Sequence, residues 1–172
     1  MPHETLQMFV PTVYFILMRK SFIAFAMLVA VLVVAACSDN RVYDKYMNTP
    51  TSGWEKNDTL YFGVPKLSAG GMYESSLMLR INQGYPFMSL TLIVQQTVLP
   101  SREVFTDTLK CRLIDDKGRT TGKGLNYYQY SFPISRRALA EGDSLHVTIR
   151  HDMKREILPG ISDVGLMLSR VR

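Results

Sequence analysis

The sequence predicts an all-β fold: a single antiparallel β-sandwich, jelly-roll-like, behind a lipoprotein signal peptide and a short polar tether. Three observations predict it. Beyond residue 59, apolar residues recur at every second position, the period of a half-buried strand and not of a helix. Clusters of Gly, Pro, Asp and Asn separate these runs, and such residues close tight turns. The chain has 172 residues, 47% hydrophobic and 20% charged, which is ordinary globular composition at the length of one domain.

The first element is an export signal, read over residues 1–36. Arg19 and Lys20 precede an unbroken apolar run from Phe22 to Val34, and small Ala35 and Ala36 lead to Cys37. This is the layout of a secretory signal, and Val34-Ala35-Ala36-Cys37 also fits a bacterial lipobox. Cys37 is therefore the predicted lipidation site. A diacylglyceryl group on its sulfur and an acyl chain such as palmitate on its freed amine give several chains, and two already anchor stably. The apolar stretch from Phe22 to Ala36 is shorter than the roughly 20 residues of a membrane-spanning helix. A second apolar run, from Met8 to Leu17, stands before the positive pair, so translation is read as starting at Met18. Ser38 follows the cysteine where Asp would favour the inner membrane, which points to the outer membrane and a periplasm-facing position.

Residues 37–58 read as the lipidated cysteine and a polar tether, with Trp54 at its end packed on a domain edge. Residues 59–172 read as the sandwich. Its strands are 59–64; 73–81, with Tyr73, Leu77, Leu79 and Ile81 on one face; 90–98, with Leu90, Leu92, Val94 and Val98; and 105–113, with Phe105, Leu109, Cys111 and Leu113. Tyr128, Tyr130 and Phe132 alternate next, then Leu145, Val147 and Ile149, and Val164, Leu166 and Leu168 close the chain. A short helical turn is expected at residues 135–140, capped by Ser135. Seven strands with one apolar face each pack as two sheets.

The sequence argues against an enzyme, a metal site or a cofactor. Cys111 is flanked by Leu109 and Leu113 and reads as a buried, inert thiol, since free cysteine behaves as a small hydrophobe. His146 and His151 are five apart on one strand and so face opposite ways. No Cys-x-x-Cys, His-x-x-x-His, Gly-x-Ser-x-Gly or phosphate loop occurs. The net charge of +5 is spread among acidic neighbours, unlike the basic stripe of a nucleic-acid binder, and no small-molecule substrate is evident. What remains is binding. Loops carry binding residues most often, so Trp54, Tyr85, Pro86, Asp115, Asp116 and Gly118 are the candidate partner contacts. The alternative is a carbohydrate-binding lipoprotein that stacks sugars on Trp54, Tyr127 and Tyr128. Against it stands the reading in which Tyr128 and Tyr130 are core and Tyr127 alone points outward.

Taken in order, several motifs are similar to the gliding-motility lipoprotein family GldH of Bacteroidetes. They are Val42-Tyr43-Asp44-Lys45-Tyr46 after the lipobox, Gly53-Trp54-Glu55-Lys56-Asn57-Asp58-Thr59, Leu79-Arg80-Ile81-Asn82 with Tyr85-Pro86-Phe87, and Asp107-Thr108-Leu109. Leu113-Ile114-Asp115-Asp116-Lys117-Gly118 with Gly122-Lys123-Gly124, and Leu158-Pro159-Gly160-Ile161-Ser162-Asp163-Val164-Gly165, complete the series. Met88-Ser89 departs from the family's pattern. The resemblance implies a lipid-anchored structural or assembly subunit of the envelope, without enzyme activity. Its implied partners are the membrane, through Cys37, and other envelope lipoproteins or proteins of the motility and secretion machinery.

Overall fold

The computed structural model describes residues 40–171. The predicted signal peptide, residues 1–36, and Cys37 lie outside the described residues. Ten strands follow one another, with no helix among the described residues: β1 Arg41–Asn48, β2 Trp54–Glu55, β3 Leu60–Val64, β4 Gly71–Asn82, β5 Ser89–Leu99, β6 Glu103–Arg112, β7 Tyr127–Leu139, β8 Ser144–His151, β9 Ile157–Leu158 and β10 Ile161–Arg170. They form two four-stranded antiparallel sheets, β1-β10-β4-β7 and β3-β8-β5-β6, with β2 and β9 as a two-stranded ribbon. The pairs nest. β1 pairs β10, β2 pairs β9, β3 pairs β8, β4 pairs β7 and β5 pairs β6. This is one long antiparallel ribbon folded over on itself, the topology of a jelly roll.

Period-two alternation builds the core. Leu77, Leu79, Ile81, Val164, Leu166 and Leu168 of one sheet face Phe62, Leu90, Leu92, Val94, Val147 and Ile149 of the other, all buried. At about 25 cal/mol per Å2 of apolar area removed from water, this layer is the main source of stability. One polar residue shares it. Gln96 is buried on the inner face of β5 and spans the two sheets. Its Nε2 donates to Ser135 Oγ at 3.0 Å, while the Ser75 and Ser135 hydroxyls bond each other at 2.9 Å. A buried polar group needs such partners.

Two expectations give way. The tether does not extend to residue 58, because Arg41–Asn48 is an edge strand of the first sheet, with Tyr43 and Met47 packed against the core. Its alternation is masked by Lys45, an exposed residue that holds the position between them, and lysines on an edge strand resist further pairing. The helical turn at 135–140 is absent: β7 runs through it to Leu139, paired with β4 after a bulge at Ile134. Cross-strand pairing outweighs the weak local helix preference there.

The topology fixes two ends. Asn40, Gly71, Leu139 and Arg170 lie together at one, where the Arg170 amide donates to the Asn40 carbonyl at 2.9 Å. Asn48, Asn82, Tyr127 and Ile161 mark the other. Eight residues of β1 separate them, about 26 Å at a strand's rise per residue.

Candidate functional site

Three connections meet at the end far from Asn40: residues 83–88 between β4 and β5, residues 113–126 between β6 and β7, and the turn at Pro159-Gly160. Asn82 organises the first. Its side-chain oxygen accepts from Gly84 N–H at 2.8 Å, and its own amide donates to the Gly160 carbonyl at 2.8 Å. Gly160 has φ of +81°, and a Cβ there would stand 2.3 Å from Tyr85 N, so only glycine lets the turn lie against this loop. Tyr85 then points back. Its hydroxyl donates to the Ser89 carbonyl at 2.9 Å and its ring meets Phe87 edge-on at 5.5 Å. Burial, followed by the neighbouring Cys111, pushes the Tyr85 hydroxyl well above the ordinary tyrosine range, so it stays protonated and donates.

The second connection is shaped by carboxylates. Asp115 Oδ1 accepts from the amides of Lys117 and Arg119, both at 2.9 Å, and Oδ2 accepts from Arg119 Nε at 2.9 Å. These hydrogen bonds, the one from the Arg119 amide first, hold the carboxyl below the usual carboxylate range. Asp116 forms an ion pair with Arg112, and Gly118, at φ +75°, donates its amide to the Asp115 carbonyl. Asp115, Asp116 and Gly118 therefore shape the tip, as turn residues do. Farther along, Gly122 lies against Tyr128 and Tyr130, where a Cβ would fall 2.6 Å from the Tyr130 ring.

Between the two connections opens a pocket of about 240 Å3, walled by Tyr85, Phe87, Ile114, Tyr128 and Tyr130, with Thr120 at its rim. Its lining carries no charged side chain. It is smaller than the roughly 300–1,000 Å3 of ordinary small-molecule sites, and its aromatic walls suit one apolar side chain. Around it, Met88, Leu125 and Tyr127 are 62%, 87% and 52% exposed. The sequence reading missed Met88 and Leu125, since a single apolar residue in a loop has no periodic signal.

Tyr85, Pro86, Asp115, Asp116 and Gly118 are thus gathered at one end. Trp54 is not among them. It is fully buried, with its indole N–H donating to the Asp58 carbonyl at 3.0 Å and its ring edge-on to His151 at 5.3 Å. A side chain closed inside the sandwich contacts no partner and stacks on no sugar, so Trp54 leaves both candidate sets. The three-ring sugar platform goes with it: Tyr128 walls the pocket, Tyr130 is buried, and Tyr127 alone points outward. Cys111 is fully buried, and burial pushes its thiol up to about 12. Among the described residues no group of three His, Cys, Asp or Glu side chains stands close enough to hold a metal, and no helix is long and apolar enough to cross a membrane.

The family model for the GldH lipoprotein matches residues 41–168, from the start of β1 to within two residues of the end of β10. The chain belongs to the GldH lipoprotein family. Within it, the gliding motility lipoprotein GldH of Flavobacterium johnsoniae is 28% identical over 151 residues, covering 84% of this chain and 94% of the relative. The GldH homolog of Christiangramia forsetii is 24% identical over 162 residues, covering 89% and 98%. Among solved structures, the Cry4Aa larvicidal toxin of Bacillus thuringiensis overlays with a TM-score of 0.45 at 9% identity, over 78% of this chain and 22% of the toxin. The GldH match begins at Arg41, where β1 begins. The family motifs also acquire physical roles here: Trp54 fills the core, Asn82 and Gly160 fix the Tyr85 loop, and Asp115 folds the hairpin tip.

Proposed function

We propose that this chain is a structural or assembly subunit of a gliding-motility or related secretion machinery, without enzyme activity. Acyl chains on Cys37 hold it at the outer membrane, facing the periplasm, and it meets its protein partner through the loops at the far end. One observation carries this reading. Asn40 stands three residues after Cys37 in the sequence, and the Tyr85 and Asp115 loops lie at the end of the sandwich opposite Asn40. A partner finds Met88, Leu125 and Tyr127 exposed at that end. Binding residues gather on loops held by a rigid scaffold, and here the scaffold is the jelly roll.

The test is crosslinking in the native cell. A photoreactive residue at Leu125 or Pro86, both exposed, is expected to capture an envelope protein, whereas one at Lys66, near Asn40's end, captures little. Cys37→Ser is expected to release the protein from the envelope fraction. Unchanged sedimentation of that variant, or equal capture from both ends, overturns the reading. The sugar-stacking alternative on Trp54, Tyr127 and Tyr128 has no three-ring surface to rest on.

A further inference from the structure

Each four-stranded sheet ends in two edge strands, and of these β6 alone is left open to further pairing. β1 has a bulge between Arg41 and Tyr43 and carries the exposed Lys45. β3 has five residues and is stopped by Pro65. β7 holds Pro133, and its Gln129 exchanges both main-chain hydrogen bonds with Lys123. Bulges, prolines, lysines and short length are the devices by which edge strands resist further pairing. β6 runs ten residues beside β5 with no break in register, contains neither Pro nor Gly, and has a lysine only near its end, Lys110.

Two hydrogen bonds fix where its main-chain groups point. The Leu113 amide, one residue past β6, donates to the Met88 carbonyl at 3.0 Å, and the Asp152 amide donates to the Thr91 carbonyl at 2.8 Å. Even-numbered residues of β5 therefore turn toward β6 and odd-numbered ones toward β8, and the register sets those even-numbered residues against the odd-numbered residues of β6. The N–H and C=O groups of Val104, Thr106, Thr108 and Lys110 are left along the free edge, over roughly 20 Å. All four residues are exposed, and nothing among the described residues bonds to these groups.

Beside this edge the two sheets leave a seam. Arg137 of β7 reaches across it, 3.7 Å above the Phe105 ring and 3.4 Å from the Asp107 carboxylate. Phe105 and Leu109 of β6, with Phe132 and Ile134 of β7, stay half-buried. The seam includes a groove of about 590 Å3 lined by Val98, Phe105 and Leu139 with Glu103, Arg136 and Arg137. A row of donors and acceptors at strand spacing is matched by another strand, which also lays alternate side chains over the sheet's inner face. Here those side chains cover Phe105 and Leu109. A second copy of β6 fits poorly, because the antiparallel register that uses the whole free edge sets Asp107 against Asp107, and like charges directly opposite destabilise. We infer that β6 is a docking edge for an extended, proline-free segment of another protein with apolar residues at alternate positions, a strand-addition site separate from the loops at the far end.

The full chain in detergent is titrated with a fluorescent peptide of the edge's length that alternates valine and threonine and ends in glutamates. The peptide is expected to bind, and the same peptide N-methylated throughout, which keeps its side chains and loses its donors, to bind at least about tenfold more weakly. In the free chain the amides of Thr106 and Thr108 are expected to exchange quickly and those of Asp107 and Leu109 slowly; bound peptide slows the first pair. Thr108→Pro removes a donor from the free edge and none from the β5 ladder, so the fold tolerates it, and it is expected to cost at least about tenfold in affinity, while Thr108→Val costs nothing. The methylated peptide and the exchange pattern read the edge without any substitution. No binding of the peptide, equal binding of the methylated one, or slow exchange at Thr106 and Thr108 in the free chain overturns the inference. A dimer of the free chain that Thr108→Pro dissolves assigns the edge to a second copy and overturns it as well.

Discussion

Replacing Trp54 with alanine separates a core residue from a surface contact. The indole is fully enclosed and touches His151, and its N–H satisfies the Asp58 carbonyl. Truncating a buried aromatic to alanine costs about 3–5 kcal/mol through lost burial and the cavity left behind. The orphaned Asp58 carbonyl places this site toward the upper part of that range. Over roughly 130 folded residues, an unfolding entropy of about 2.1 cal/mol/K per residue converts 4 kcal/mol into a fall in Tm of about 15 °C. Trp54→Phe keeps a ring in the space and gives up the hydrogen bond, so about 1–2 kcal/mol is expected. Thermal and urea unfolding followed by far-ultraviolet circular dichroism reads both, because that signal does not depend on the chain's single tryptophan. A loss below about 1 kcal/mol for Trp54→Ala would refute the placement of this ring in the core and return it to the surface candidates.

Gly160→Ala meets two penalties, a left-handed backbone and a Cβ 2.3 Å from Tyr85 N. A loss of about 2–4 kcal/mol is expected, with faster amide exchange in residues 83–88. His151 is fully buried, and burial holds its imidazole below the ordinary histidine range against the opposing pull of the Trp54 carbonyl. The unfolded chain thus takes up a proton that the folded one refuses. Stability is expected to fall as pH drops below about 6.5, by at most about 1.4 kcal/mol per pH unit from this group. His151→Leu flattens the contribution; a pH profile identical in the two proteins counts against it. Cys111, fully buried with its thiol pushed up to about 12, is expected to resist iodoacetamide at pH 8 in the folded chain and to react fully in urea. Rapid labelling of the native chain at Cys111 refutes the burial.

Seven of the strands were legible because their signal is local. Leu90, Leu92 and Val94, or Leu145, Val147 and Ile149, declare a buried face within a few residues. The opposite exposures of His146 and His151 follow from the same period. β1 was not legible, because an edge strand is half exposed and Lys45 breaks its pattern. The two-residue β2 was missed for a different reason. It is too short to show a period, and pairing with β9, about a hundred residues later, makes it a strand.

The candidate site divides the same way. Residue chemistry marked Tyr85, Pro86 and the Asp115 turn as loops. It could not say that Gly160 locks one of them, that a pocket opens between them, or that Trp54 is shut inside.

The sequence alone determined the class of fold, the position of the predicted lipid anchor and which segments turn, since each rests on residues that are neighbours along the chain. The tertiary structure decided which loops share one end, which rings are buried, and that Asn48, Asp163, Arg80, Gln129 and Lys123 share one row. Those facts depend on strand register, and register is set by packing between segments as far apart as Asn48 and Asp163. No pattern within a single segment encodes it.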